Sequence, residues 1–71
     1  MKLSNVKQNN LAYIKKINLN DYELNLRIME MGFIPMTKIK VIYKNKNFMI
    51  IDIRDYKIAL ASDICNNIEV I

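Results

Sequence analysis

RIMEMGFIP, residues 27–35, holds the one glycine and the one proline of a 71-residue chain, three positions apart with Phe33 and Ile34 between them. The residues leading into it recur at helical spacing. Leu24, Ile28 and Met31 follow i, i+4, i+7, and Leu26, Met29 and Phe33 lie on a flanking stripe. So broad an apolar surface predicts a helix pressed against the rest of the domain. Asn20 is the expected N-cap, with Glu23 at N3 reaching back as a capping box. Asp21 and Glu23 also place negative charge at the positive end of the helix dipole. Gly32 then falls where a helix needs positive φ at C′, a conformation glycine reaches without a Cβ penalty. Phe33 follows at C″ and can fold back onto Ile28. Pro35 prevents the helix from resuming and pushes Ile34 into an extended conformation. The stretch reads as a stop signal, ending a helix at about 21–31 and opening an extended region.

Beyond the stop the period changes from 3.6 to two. TKIKVIYK, from residue 37, puts Ile39, Val41 and Tyr43 on one face and Lys38, Lys40 and Lys44 on the other, with Ile42 breaking the polar face. Asn45-Lys46-Asn47 reads as a tight turn, since asparagine tolerates left-handed conformations. NFMIIDIR returns as a strand with Met49, Ile51 and Ile53 inward. Asp55 marks another corner, and YKIALA follows with Tyr56, Ile58 and Leu60 on one face. Ser62 and Asp63 look like the cap of one helical turn through Cys65, and NIEVI closes the chain as a short strand. Before the helix, LAYIKKINL at 11–19 suggests a first strand with Ile14 and Ile17 near the core and a bulge where alternation slips. Leu3 and Val6 form a small apolar anchor. Five short strands cannot easily bury two faces of an open sheet, whereas curling hides the edges around one core. The fold expected is mainly β: a small SH3-like five-stranded barrel with one α-helix inserted after the first strand and a helical turn near 62–65.

Composition narrows the function. A 52% apolar fraction supports a packed core, and the length allows one domain spanning residues 1–71. Cys65 stands alone, so no internal disulfide forms, and its expected place is a buried apolar position. With no histidine, the familiar zinc, haem and His-based catalytic arrangements are missing. Asp52 and Asp55, at i and i+3 on a strand, point to opposite faces and make no metal cage. The N-terminus lacks a signal-type apolar region and no run approaches a membrane span, which leads to the expectation of a cytoplasmic protein. The net charge is +4, carried by nine Lys and two Arg spread along the chain. No basic tract carries interleaved aromatics, so nucleic-acid binding is disfavoured. Neither a nucleophile–base pair nor a phosphate-cradling glycine loop is present, and an enzyme is not expected.

These residues resemble the FeoA family, the small accessory proteins of bacterial ferrous iron uptake, and are similar to the C-terminal SH3-like domain of iron-dependent repressors. LSNVK at 3–7 looks like the family's opening L-S-x-L-K. Arg27, Met31-Gly32-Phe33 and Pro35 match its strongest motif, R-L-L-E-M-G-[FL]-x-P-G. Ile39, Val41, RDYKIAL at 54–60 and IEV at 68–70 fall in register. The chain departs from the pattern at Gln8-Asn9-Asn10, where Pro-Gly is usual, and at Met36, where glycine normally follows Pro35. It departs again in the shortened loop Lys44-Asn45-Lys46-Asn47, and at Asp55, within what is commonly Arg-Gly-Tyr.

The resemblance implies a protein-interaction module that acts on the cytoplasmic GTP-binding part of the FeoB transporter and regulates Fe²⁺ uptake, with no cofactor and no metal of its own. It would be recruited to the inner face of the membrane by that partner without inserting. In SH3-like barrels an aromatic groove often receives the partner, and the candidates here are Tyr43, Phe48 and Tyr56 with Arg54 as a charged neighbour. Two alternatives belong to other classes. One is a freestanding module regulating an iron-dependent repressor. The other is a small basic barrel binding nucleic acid, which predicts a steep salt dependence.

Overall fold

The computed structural model describes residues 1–71. A 3-10 turn at Leu3–Asn5 leads into β1 (Leu11–Ile17), followed by α1 (Tyr22–Glu30), β2 (Lys38–Lys44), β3 (Phe48–Ile53) and β4 (Tyr56–Ala61). A single helical turn, α2 (Ser62–Cys65), and β5 (Ile68–Val70) complete the chain. The strands form one antiparallel sheet in the order β4-β3-β2-β1-β5. The fold is the mainly β, SH3-like one expected. Between β4 and β5 it is α2, not a strand ladder, that spans the gap.

One core holds the sheet together. Leu3, Ile14, Ile28, Phe33, Ile39, Val41, Met49, Ile51, Ile53, Cys65, Ile68 and Val70 are fully buried, and Val6, Ala12 and Leu60 nearly so. The inward alternation of β3 is as its sequence says, and Leu3 and Val6 anchor the N-terminal arm. The bulge in β1 is present between Ile14 and Lys16. Burying a side chain the size of Ile or Phe contributes about 1.5–3 kcal/mol, so these residues dominate the stability of so short a chain.

Strand β2 departs from its expected facing. The register slips between Val41 and Tyr43, so Val41 pairs with Ile51 but Tyr43 pairs with Ile50. A bulge of one residue reverses the face of everything after it. Tyr43 is therefore turned outward, 42% exposed, instead of continuing the Ile39–Val41 face. Lys44 turns the other way, and its Nζ donates to the carbonyls of Ser4 (2.8 Å) and Val6 (3.0 Å). A lysine read as solvent-facing is the clamp that ties the N-terminal turn to the sheet.

Helix α1 is also capped differently. Asp21, not Asn20, is the N-cap, its carboxylate accepting from the Leu24 amide at 3.1 Å. Glu23 then stands at N2 and closes no capping box. Asp21 does both jobs, as a cap and as charge at the dipole's positive end. Nor is the helix buried on the whole breadth of its apolar surface. Ile28 is its one fully buried residue and Leu24 is half-buried, while Leu26, Met29 and Met31 keep about 40% of their surface exposed. In α2 the cap position is Ala61, and the Ser62 hydroxyl donates instead to the Lys46 carbonyl at 3.0 Å.

Candidate docking surface

The end of α1 is a Schellman motif. The Gly32 amide donates to the Met29 carbonyl at 2.9 Å, and the Phe33 amide to the Ile28 carbonyl at 3.3 Å. Gly32 adopts φ +108°, and Phe33 folds back into the core beside Ile28 as expected. The glycine has a second consequence. A Cβ at position 32 would lie 3.0 Å from Arg54 Cδ and 3.2 Å from its Nε. The aliphatic stem of Arg54 lies across bare backbone at the helix stop, in space that any other residue would fill.

Arg54 and Asp55 form the two-residue turn between β3 and β4, closed by the pair Ile53–Tyr56. Both have positive φ, 49° and 70°, the geometry of a type I′ hairpin. Asp is tolerated there, but Arg has no local means of relieving the steric cost of left-handed backbone. A strained arginine propped on a glycine, with its guanidinium exposed, is the most unusual arrangement in the molecule. Beside it Tyr56, 67% exposed, stands with Glu30, Met31, Lys57 and Ile58 around an open groove of about 490 Å³. Helix α1 contributes the acid and the methionine, and β4 contributes the tyrosine, lysine and isoleucine.

Tyr43 and Phe48 meet elsewhere. Their ring centroids are 5.9 Å apart at an interplanar angle of 43°, on the outer face of the β2–β3 hairpin, where Ile50 lies opposite Tyr43. From Phe48 to Ile53 is five strand rises, roughly 17 Å. The four candidates are therefore brought together as two pairs, Tyr43 with Phe48 and Arg54 with Tyr56, at opposite ends of β3. Met31, which lines the groove beside Tyr56, carries no sequence signal of its own, because a methionine at helical spacing reads as core.

The turn beside Tyr43 is built by a different device from the one expected. Asn45 does not adopt positive φ. Its side-chain oxygen accepts from the amides of Asn47 (2.8 Å) and Phe48 (2.9 Å), so the turn is satisfied locally. Cys65 is buried and unpaired, its thiol held by burial up to about 11, well above the ordinary range. It stays a neutral thiol at physiological pH and offers no nucleophile. No group of three or more His, Cys, Asp or Glu side chains converges to hold a metal ion. No helix is long and apolar enough to cross a membrane.

The FeoA domain profile matches residues 1–71. The chain belongs to the FeoA family. This FeoA domain superposes on the FeoA protein from Chlorobium tepidum with a TM-score of 0.90 at 19% identity, covering 99% of this chain and 68% of that one. It superposes equally well (TM-score 0.88, 16% identity, 100% and 89% covered) on the zinc-complexed FeoA of Stenotrophomonas maltophilia, described as an SH3 domain protein possibly acting as a ferrous iron transport activating factor. It also matches T. acidophilum IdeR with a TM-score of 0.86 at 18% identity, covering 99% of this chain and 32% of that larger one. Among curated proteins, none matches the chain. FeoA domains are small accessory domains implicated in ferrous iron transport, and theirs is not a known enzyme family.

Two of the positions where the sequence departs from the glycine of the pattern it resembles have positive φ: Met36 has φ 73° and Asp55 has φ 70°. In the loop that replaces Pro-Gly, Asn9 has φ 72°. Left-handed backbone costs an L-residue roughly 1–2 kcal/mol.

Proposed function

We propose that this FeoA domain is an accessory regulator of Fe²⁺ uptake that docks, in the cytoplasm, on the GTP-binding part of a FeoB-type transporter. The observation that carries the reading is the Arg54–Tyr56 corner over Gly32. It joins an exposed cation, an exposed aromatic and an adjacent groove, a combination that suits a protein-binding hot spot. Arginine suits the role because its planar guanidinium meets carboxylate or phosphate with two parallel hydrogen bonds. Tyr43 and Phe48 form a second, flatter contact at the far end of β3. The net charge of +4 speeds encounter with an acidic partner more than it tightens the complex. In this reading the domain acts by altering its partner rather than by carrying iron.

The test is co-precipitation with the purified cytoplasmic domain of the transporter. Capture is expected for the intact chain and its loss for the double variant Met31→Asp, Tyr56→Ala, with the fold of the variant checked by circular dichroism. Unchanged ferrous uptake in a deletion strain would count against the reading.

A further inference from the structure

The two edges of the sheet are treated differently. β5 is three residues long, and the N-terminal arm covers it: the Val70 amide donates to the Met1 carbonyl at 2.8 Å, and Lys2 bridges Glu69. β4 is the opposite edge and has no strand beside it. It is six residues long and unbroken in register against β3. Because Ile53–Tyr56 closes a two-residue turn, Tyr56, Ile58 and Leu60 exchange hydrogen bonds with β3, and Lys57 and Ala59 direct their amides and carbonyls outward, until Ala61 turns the chain into α2 as its N-cap. Natural edges are usually blunted by proline, bulges, inward charges or several lysines. This one carries a single lysine and two alanines, and it borders the Met31–Tyr56–Ile58 groove.

We propose that the free edge of β4 receives an extended segment of a protein partner as a sixth strand, apolar toward Met31 and Ile58 and acidic toward Lys57. This deepens the docking reading above and rests on it. Area and charge both argue against a second copy of the chain. A stable dimer needs about 800 Å² from each partner, near a sixth of the 4769 Å² this chain exposes, and an edge presenting Lys57 and Ala59 supplies less. Two copies of net charge +4 also repel. An extended segment needs little area, because main-chain hydrogen bonds hold it and alternate side chains select it. Glu30 borders the groove and repels a carboxylate there. Lys57, one position along β4 from Ile58 and so on the alternate face of the strand, attracts one, which fixes the order of the alternation.

The probe is a short synthetic peptide of alternating Val and Glu, with a proline-interrupted version as control, added to isotope-labelled protein. Amide exchange is expected to be fast at Lys57 and Ala59 in the free chain and to slow by at least about tenfold with the first peptide only. Ala59→Pro removes an outward amide, which an edge strand tolerates, and is expected to abolish the protection while spectra stay dispersed. Should that variant unfold, Lys57→Glu reverses the charge without touching the backbone and is expected to weaken binding about tenfold. Protection that grows with protein concentration alone would place a second copy on the edge and overturn the proposal. So would shifts confined to α1 or β2, or no shift at all. If the transporter domain captures wild type and Ala59→Pro alike, the edge proposal falls and the docking reading stands. If it captures neither chain while the peptide protects β4, the reverse holds.

Discussion

The two ends of β3 solve the same problem, reversing a strand, in opposite ways. At the 45–47 turn every device is local and relaxed. Asn45 satisfies two amides with its own side chain, Ser62 donates to the Lys46 carbonyl, and Lys44 binds the N-terminal turn. At the 54–55 turn two L-residues occupy left-handed backbone, and the arginine's stem needs the gap at Gly32. The first end is built for stability. The second accepts strain and in return presents an arginine, a tyrosine and a bare strand edge on one corner. Strain that persists beside an open groove fits the docking surface proposed for this corner.

Breaking the strained end has the largest expected effect. Gly32→Ala would force an L-residue to φ +108° and set its Cβ 3.0 Å from the Arg54 stem. A loss of about 2–3 kcal/mol is expected by urea unfolding, with the resonances of Arg54 shifting along with those of the helix end. A loss below about 0.5 kcal/mol, the range of an ordinary surface substitution, would mean that Arg54 does not lean on this glycine.

The quiet end is sharpened by pH. The Cys65 thiol titrates near 9 when unfolded and at about 11 in the folded chain, burial being the main cause. A raised value favours the protonated form on folding. Its contribution is therefore complete below pH 9 and is lost between pH 9 and about 11, where the unfolded chain ionises first. Over that window the wild type should lose about 2 kcal/mol more than Cys65→Ala. Parallel urea midpoints for the two proteins would refute it. Next in size, Lys44→Met keeps the aliphatic stem but removes the two bonds to Ser4 and Val6. A loss of about 1.5 kcal/mol is expected, with amide exchange rising first in residues 1–8.

These two ends were unequally legible in the sequence. The helix stop could be read because glycine and proline each have one mechanical meaning there. The inward face of β3 could be read because nothing interrupts its period. Lys44 and Tyr43 could not, since a bulge at Ile42 carries no residue signature and reverses both. Arg54 escaped as a turn residue because arginine is not a left-handed former; it takes that conformation where the Gly32 gap receives its stem. The exposed Met31 was invisible for the opposite reason: helical spacing says which residues share a face, but not how much of that face another element covers. The pairing of Arg54 with Tyr56 followed from a two-residue turn. The separation of that pair from Tyr43 and Phe48 followed only from the length of β3.

The smallest effect is the most discriminating. Replacing Arg54-Asp55 by Asn-Gly supplies the residues that a type I′ turn prefers and relieves two positive-φ positions. It removes one cation and one anion, so the net charge stays at +4 and long-range attraction to a partner is unchanged. If the turn is merely structural, the variant should gain about 1 kcal/mol and bind the transporter's cytoplasmic domain as before. If strain is tolerated because it presents Arg54, the same variant should gain that stability and lose binding by about tenfold or more, the scale of a hot-spot arginine. Stability and affinity would then move in opposite directions through one pair of residues. The equivalent relaxation at the other departure from glycine, Met36→Gly, should raise stability alone, because Met36 lies outside the Met31–Tyr56 groove.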